Sequence, residues 1–170
     1  WKRCMSGAGA KVALIDSGLV AGHEDIDYAY VLRGHNFTNV GDTADTSDQI
    51  GHGSVISGIL AAQINNSMGI CGIVDKVELM PLKCFAPGRN ATIDMVISAI
   101  TMAREQGCDV INMSFGMLSY SGILETAINQ AVGEGIIITA AVGNWGKTEF
   151  VYPAAYENVI AAGSVNSSKT

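Results

Sequence analysis

Val12-Ala13-Leu14-Ile15-Asp16-Ser17-Gly18 is the stretch that decides the fold. Its apolar residues form a short run, read as a buried strand, and the carboxylate, hydroxyl and glycine that follow close it in a turn. Working outward, similar runs bounded by polar or glycine residues recur at 77–82, 110–113, 136–141 and 159–162. Between them the apolar period changes to that of helices. Around 121–132, Ile123, Leu124, Ala127, Ile128, Ala131 and Val132 recur every three or four residues, and Gly133 and Gly135 end the pattern. A second stripe runs from Thr92, placed as an N-cap, through Ile93, Val96, Ile97, Ile100 and Ala103 to Gly107. A third helix begins at His52, with Val55, Ile56, Ile59 and Leu60 as its apolar face and Gly53, Ser57 and Gly58 permitting close packing. Strands alternating with helices predict an α/β fold of three layers, a mainly parallel sheet with helices on both faces.

Composition bounds the functions open to such a domain. Its 170 residues are enough for one domain with a sizeable core, and 48% hydrophobic against 15% charged argues against disorder. A net charge of −6 and a pI near 4.9 argue against nucleic acid or an anionic membrane surface as the main partner, because both require clustered Lys and Arg. No apolar run has the roughly 18 residues of a membrane span, and Trp1-Lys2-Arg3-Cys4-Met5 is not followed by a signal-peptide core. Cys4, Cys71, Cys84 and Cys108 lack Cys-x-x-Cys spacing, so neither a zinc ribbon nor a thioredoxin-like motif is indicated. Apolar neighbours such as Ile70 beside Cys71 favour buried free thiols over bridges. The acidic stretch from Asp42 to Asp48 reads as solvated surface, and His23 and His35 as surface or structural residues.

The chemistry is carried by Asp16 and His52. A strand that delivers a carboxylate at its C-terminal end, with a histidine at a later helix start, supplies two thirds of a serine-hydrolase triad. The carboxylate orients the imidazole, and the imidazole takes the proton of an attacking hydroxyl. Taken singly, Asp16-Ser17-Gly18 is an ordinary polar turn and His52-Gly53 a helix cap; only their combination points to catalysis. A nucleotide-binding sheet protein is the weakest alternative, since Gly7-Ala8-Gly9 precedes the first strand and no phosphate loop follows one.

Four segments in order, residues 12–18, residues 51–58, Asn112-Met113-Ser114-Phe115-Gly116 and Ala141-Val142-Gly143-Asn144, resemble those of subtilisin-like serine peptidases. Tyr152-Pro153-Ala154-Ala155-Tyr156 resembles the family's lead-in to a strand. The resemblance covers nearly the whole chain and implies a serine endopeptidase with peptide or protein substrates and a family-level expectation of secretion or cell-surface location. It implies that Asp16 holds the Nδ1 of His52, that His52 is general base and then acid, and that Asn144 donates its amide to the oxyanion. Ser114, Phe115 and Gly116 would form the edge that binds substrate backbone, Arg89, Asn90 and Ala91 the facing rim, and Ala141 with Gly143 the wall of the primary specificity pocket. Trp145 departs from the pattern and narrows or covers that pocket.

The resemblance further implies a calcium ion held by Asp25, by Asn66 and by backbone oxygens of Ile64, Met68 and Ile70, a set of oxygen donors suited to a hard cation. A turn built from Asn65-Asn66-Ser67 accounts for the same residues. The family's nucleophile lies in a Gly-Thr-Ser-Met-Ala segment that residues 1–170 do not contain, and Ser54, Ser114, Ser164, Ser167 and Ser168 do not replace it. The expectation is therefore one incomplete peptidase domain over 1–170, inert alone and partnered by a serine-bearing C-terminal segment or a propeptide. The alternative is a naturally shortened, non-catalytic relative that binds peptides or a partner along residues 114–116.

Overall fold

The computed structural model describes residues 6–146 and 149–167. Cys4 and Ser168 lie outside the described residues. The elements run β1 (Lys11–Asp16), a single 3-10 turn (Tyr28–Tyr30), β2 (His35–Asn36), α1 (His52–Ala61), β3 (Glu78–Lys83), α2 (Ile93–Glu105), β4 (Val110–Met113), α3 (Gly122–Gly133), β5 (Ile137–Ala141) and β6 (Ile160–Ala162). All strands pair in parallel in one sheet of order β2-β3-β1-β4-β5-β6.

Strand alternation explains the layers. In β1, Ala13 and Ile15 face a core completed by Met80, Leu82, Ile111, Met113 and Ile138 of the sheet and by Val96, Ala99, Ile100, Leu124 and Ile128 of α2 and α3. Val12 and Leu14 point the other way, with Leu79, toward Ile56, Leu60 and Ala61 of α1. Both faces of β1 are thus buried, as its unbroken apolar run requires. The expected three layers are present.

Local signals set the helix starts. Thr92 Oγ1 accepts from Met95 N at 3.3 Å and Ser121 Oγ from Leu124 N at 3.4 Å, both acting as N-caps. The expected strands are found with bounds shifted by at most one residue at either end. β2 was not anticipated, because two residues, His35 and Asn36, pair only with Leu82 and Lys83 at the sheet edge.

The apolar face assigned to α1 needs correction. Val55 is 60% exposed and Ile59 47%, while Gly53 and Ser57 are the buried positions. A small-residue face lets α1 approach the turn after β1, which turns Val55 and Ile59 away from the sheet. Ile123 of α3 is likewise exposed, the stripe being buried through Leu124, Ala127, Ile128 and Ala131.

β1 lies between β3 and β4, so the chain's crossovers leave it toward opposite sides of the sheet. In open parallel sheets the crevice at the carboxyl ends of strands, where the order reverses, is where ligands bind. Asp16 ends β1 at that point.

Candidate active site

Asp16 is 3% exposed, and its Oδ1 accepts from the Ser17 backbone N–H and from His52 Nδ1, each at 2.7 Å. Its Oδ2 is buried with no partner among the described residues. An unpaired buried acceptor costs on the order of 1–3 kcal/mol. The His52 side chain is 51% exposed, so one nitrogen is held by the carboxylate while much of the ring meets solvent.

Two segments 36 residues apart are held together by backbone contact. A Cβ on Gly53 would lie 2.2 Å from the Gly18 carbonyl oxygen, so α1 meets the turn after β1 with no room for a side chain. Gly53 N donates to Ser17 Oγ at 2.9 Å, and Val20 N to Ser54 Oγ at 2.9 Å. Close packing was expected of Gly53, Ser57 and Gly58; Gly53 and Ser57 are buried, whereas Gly58 has open space.

Beyond β4 and β5 a cavity of about 440 Å³ brings together Ser114, Phe115, Gly116, Ala141, Gly143 and Asn144, six of the residues singled out in the sequence. Asn144 is exposed at the cavity. Trp145 also lines it, and its ring lies over Gly143, where a Cβ would meet Cζ3 at 2.2 Å. The space a side chain would need at Gly116 is filled by Val151, 2.4 Å from a Cβ built there. Arg89 and Asn90 are exposed on the turn after β3 and Ala91 packs against the main core; none of the three lines this cavity.

Around Asp25 the two side chains named as calcium ligands are hydrogen-bonded to each other. Asp25 is buried, and its Oδ1 accepts from Asn66 Nδ2 at 2.7 Å while its Oδ2 accepts from Ile70 N at 2.9 Å. Asn66 Oδ1 accepts from Met68 N at 3.1 Å. The Asn66 amide therefore presents a donor to the carboxylate, and Ile70 contributes its N–H. These bonds, the Asn66 side chain first and the Ile70 backbone second, hold the Asp25 carboxyl below its ordinary value. Ile64 lines a separate cavity with Ala61, Asp75 and Val77, and Met68 is exposed. A cation held by both Asp25 Oδ1 and Asn66 Oδ1 would require the Asn66 amide to turn over, whereas the Ile70 bond engages its N–H and not the backbone oxygen named as a ligand. Chelation with excess EDTA is expected to leave the thermal midpoint unchanged; a clear fall in the midpoint, restored by calcium, would contradict this arrangement.

Three features of the site were not read from the sequence. Asp48, placed in a solvated acidic stretch, is half-buried and accepts from Ile50 N, Gly51 N, Ser54 N and Ser54 Oγ at 2.7–2.9 Å. An aspartate three residues ahead of a glycine that opens a helix was the available signal. Lys83 is a buried lysine beside Asp16 in register, donating from Nζ to Ser47 O and Gln49 Oε1. Ser17 lay within the quoted motif but had been given no role. Of the thiols expected to be buried and free, Cys71 is exposed, whereas Cys84 and Cys108 are buried and free; burial pushes Cys84 up to about 12, with the Asp16 charge adding to it, and Cys108 to about 11.

Asp48 gives the site an acid limit. Burial raises its carboxyl, but the bonds from the Ser54 side chain and from backbone N–H groups outweigh burial and hold it at about 2, against 3.8 ordinarily. A lowered folded-state value stabilises fully above the unfolded value and is lost as pH falls through the folded one. The amides of Gly51 and Ser54 are thus expected to lose hydrogen-exchange protection between about pH 4 and about pH 2. In Asp48→Asn that pH dependence should vanish.

The subtilase family profile matches residues 7–170. The chain belongs to the subtilase family. It is 38% identical over 167 residues to subtilisin DY of Bacillus licheniformis, covering 96% of this chain and 59% of that protein. Thermitase of Thermoactinomyces vulgaris is 35% identical over 162 residues, covering 95% of this chain and 57% of thermitase. Among solved structures, a psychrophilic protease superposes with a TM-score of 0.81 at 29% identity, covering 92% of this chain and 53% of that one. This subtilase chain therefore spans a little over half the length of these relatives. No helix among its described residues is long and apolar enough to cross a membrane.

Proposed function

We propose that this subtilase chain carries the proton-transfer and oxyanion-binding part of a serine endopeptidase that cleaves peptide bonds through an acyl-enzyme. The observation that carries the reading is the 2.7 Å hydrogen bond from His52 Nδ1 to a buried Asp16 carboxylate, with the ring half open to solvent. Asp16 fixes the tautomer and stabilises the imidazolium that forms when His52 accepts the nucleophile's proton; His52 then returns that proton to the leaving amine. The unpaired Asp16 Oδ2 supports the same role, since its charge is better compensated once the ring becomes cationic.

Asn144, exposed at the cavity, is the amide donor for the oxyanion. Substrate backbone lies along Ser114, Phe115 and Gly116, which continue past the last β4 pair, Met113 with Ala140, without joining a strand. Ala141 and Gly143 wall the primary pocket, and Trp145 covers part of it. Arg89, Asn90 and Ala91, which do not line this cavity, are proposed as the facing rim.

The nucleophile comes from a serine outside the 170 residues. Ser17 Oγ accepts from Gly53 N, Ser54 Oγ donates to Asp48, Ser57 Oγ donates to Gly53 O, and Ser114 Oγ accepts from Asn112 Nδ2. Each is committed to a structural bond. A serine-bearing segment and a propeptide are accordingly proposed partners, with secretion or the cell surface as the proposed location. The 170-residue chain, assayed with a chromogenic peptide and a serine-directed phosphonate, should give neither turnover nor labelling. Robust turnover with stoichiometric labelling would show a nucleophile within it.

A further inference from the structure

We propose that Asp48 is a positioning residue for the Asp16–His52 pair, an inference that rests on the peptidase reading above. The start of α1 lacks a side-chain cap, because its N-cap is Gly51, held in the left-handed region at φ 93°. The first N–H groups of a helix have no acceptor within it and must find one outside. Here the task is divided between two distant residues. Ser17, next to Asp16, takes Gly53 N at 2.9 Å, and Asp48 takes Ser54 N at 2.9 Å.

Asp48 does more than cap. Its Oδ1 also accepts from Ile50 N and Gly51 N at 2.9 and 2.8 Å, which closes the turn that brings the chain into the helix one residue before His52. Its Oδ2 accepts from Ser54 Oγ at 2.7 Å, and that same hydroxyl accepts from Val20 N, four residues after Asp16. The Ser54 hydroxyl therefore links the helix that carries the histidine to the turn that carries the aspartate, and the Asp48 carboxylate orients that hydroxyl.

The loop holding Asp48 is itself anchored on both sides. Lys83 Nζ donates to Ser47 O and Gln49 Oε1, the two neighbours of Asp48 in the chain, and Lys83 sits opposite Asp16 in the sheet. Leu19 N donates to Thr46 O at 2.9 Å, and a Cβ on Gly18 would meet that oxygen at 2.2 Å. The residues following Asp16 and those preceding His52 are thus laced at several points, and Asp48 accepts the hydroxyl of Ser54, the residue that takes Val20 N. A negative charge at the first turn also suits the helix dipole. Loss of this carboxylate would let the start of α1 rotate, and proton transfer depends steeply on such displacement.

The test uses the full-length protein, with concentrations normalised by active-site titration. Asp48→Asn keeps the size of the side chain but turns an acceptor toward Ser54 into a donor. It is expected to lower kcat by about tenfold with KM changed less than about twofold, and to broaden or remove the far-downfield Nδ1 proton resonance of His52. Ser54→Ala, which removes only the hydroxyl link, should show a smaller loss of the same kind, and Ser54→Thr should restore it. If Asp48→Asn does not fold, the Ser54 pair decides the question alone. Unchanged normalised kcat and an unchanged resonance in the folded variants would overturn the proposal, leaving Asp48 a purely structural cap. The resonance requires no turnover, so a full-length protein without peptidase activity would defeat the peptidase reading while Asp48 is still judged by His52.

Discussion

Asp16→Asn in the full-length protein is expected to lower kcat by on the order of 10⁴-fold, about 5.5 kcal/mol of transition-state stabilisation, with little change in KM. Oδ1 of Asp16 accepts from both His52 Nδ1 and Ser17 N, and Oδ2 has no donor among the described residues. An asparagine that keeps Oδ1 on these donors buries an unsatisfied amide NH₂ at Oδ2. One that turns over points the NH₂ at both donors and drives His52 toward the wrong tautomer. Neither arrangement stabilises an imidazolium. Steady-state kinetics on a peptide substrate read the effect, and activity within tenfold of the parent would contradict the role given to Asp16.

Gly53→Ala should be damaging as well, although no reacting atom is changed. The added Cβ would stand 2.2 Å from Gly18 O and 3.0 Å from Gly18 N, both backbone atoms that cannot swing aside. Relief requires α1 to move from the turn after β1, which stretches the Gly53 to Ser17 bond and the His52 to Asp16 bond together. Overpacking of this kind costs about 1–3 kcal/mol of stability. Displacement of the base by about 1 Å costs on the order of 100-fold in rate. Gly133→Ala is the contrast: it lies in open space at the end of α3, and the same added methyl should stabilise by up to about 1 kcal/mol. Thermal denaturation and kcat of the two variants, measured side by side, separate local crowding from a general intolerance of alanine.

Sequence patterns revealed those parts of the fold whose stabilisation is local or periodic. The unbroken run at 12–15 announced a strand buried on both faces, and Thr92 announced a helix start, because each signal lies in neighbouring residues. The Asp16 and His52 pair was legible through its two motifs and the order in which they fall. What was not legible depends on partners far along the chain. Val55 and Ile59 have the spacing of a buried face, yet the small residues Gly53 and Ser57 occupy it, because the turn after β1 approaches too closely for anything larger. Asp48 looked like solvated charge until its four donors were placed around it. Asp25 and Asn66 have the residue types of an oxygen cage, but a carboxylate can also be satisfied by N–H groups, and only the loop's backbone path decides between them.

That Asp16 and His52 activate a serine lying outside these 170 residues is a proposal. Its most direct test is phosphonate labelling of the full-length protein and of His52→Ala, with the modified residue mapped by mass spectrometry. Rapid labelling of one serine beyond residue 170 is expected, slowed by at least about 1,000-fold in His52→Ala, where the general base is removed. Labelling of a serine within residues 1–170, or labelling at the same rate in His52→Ala, would contradict it.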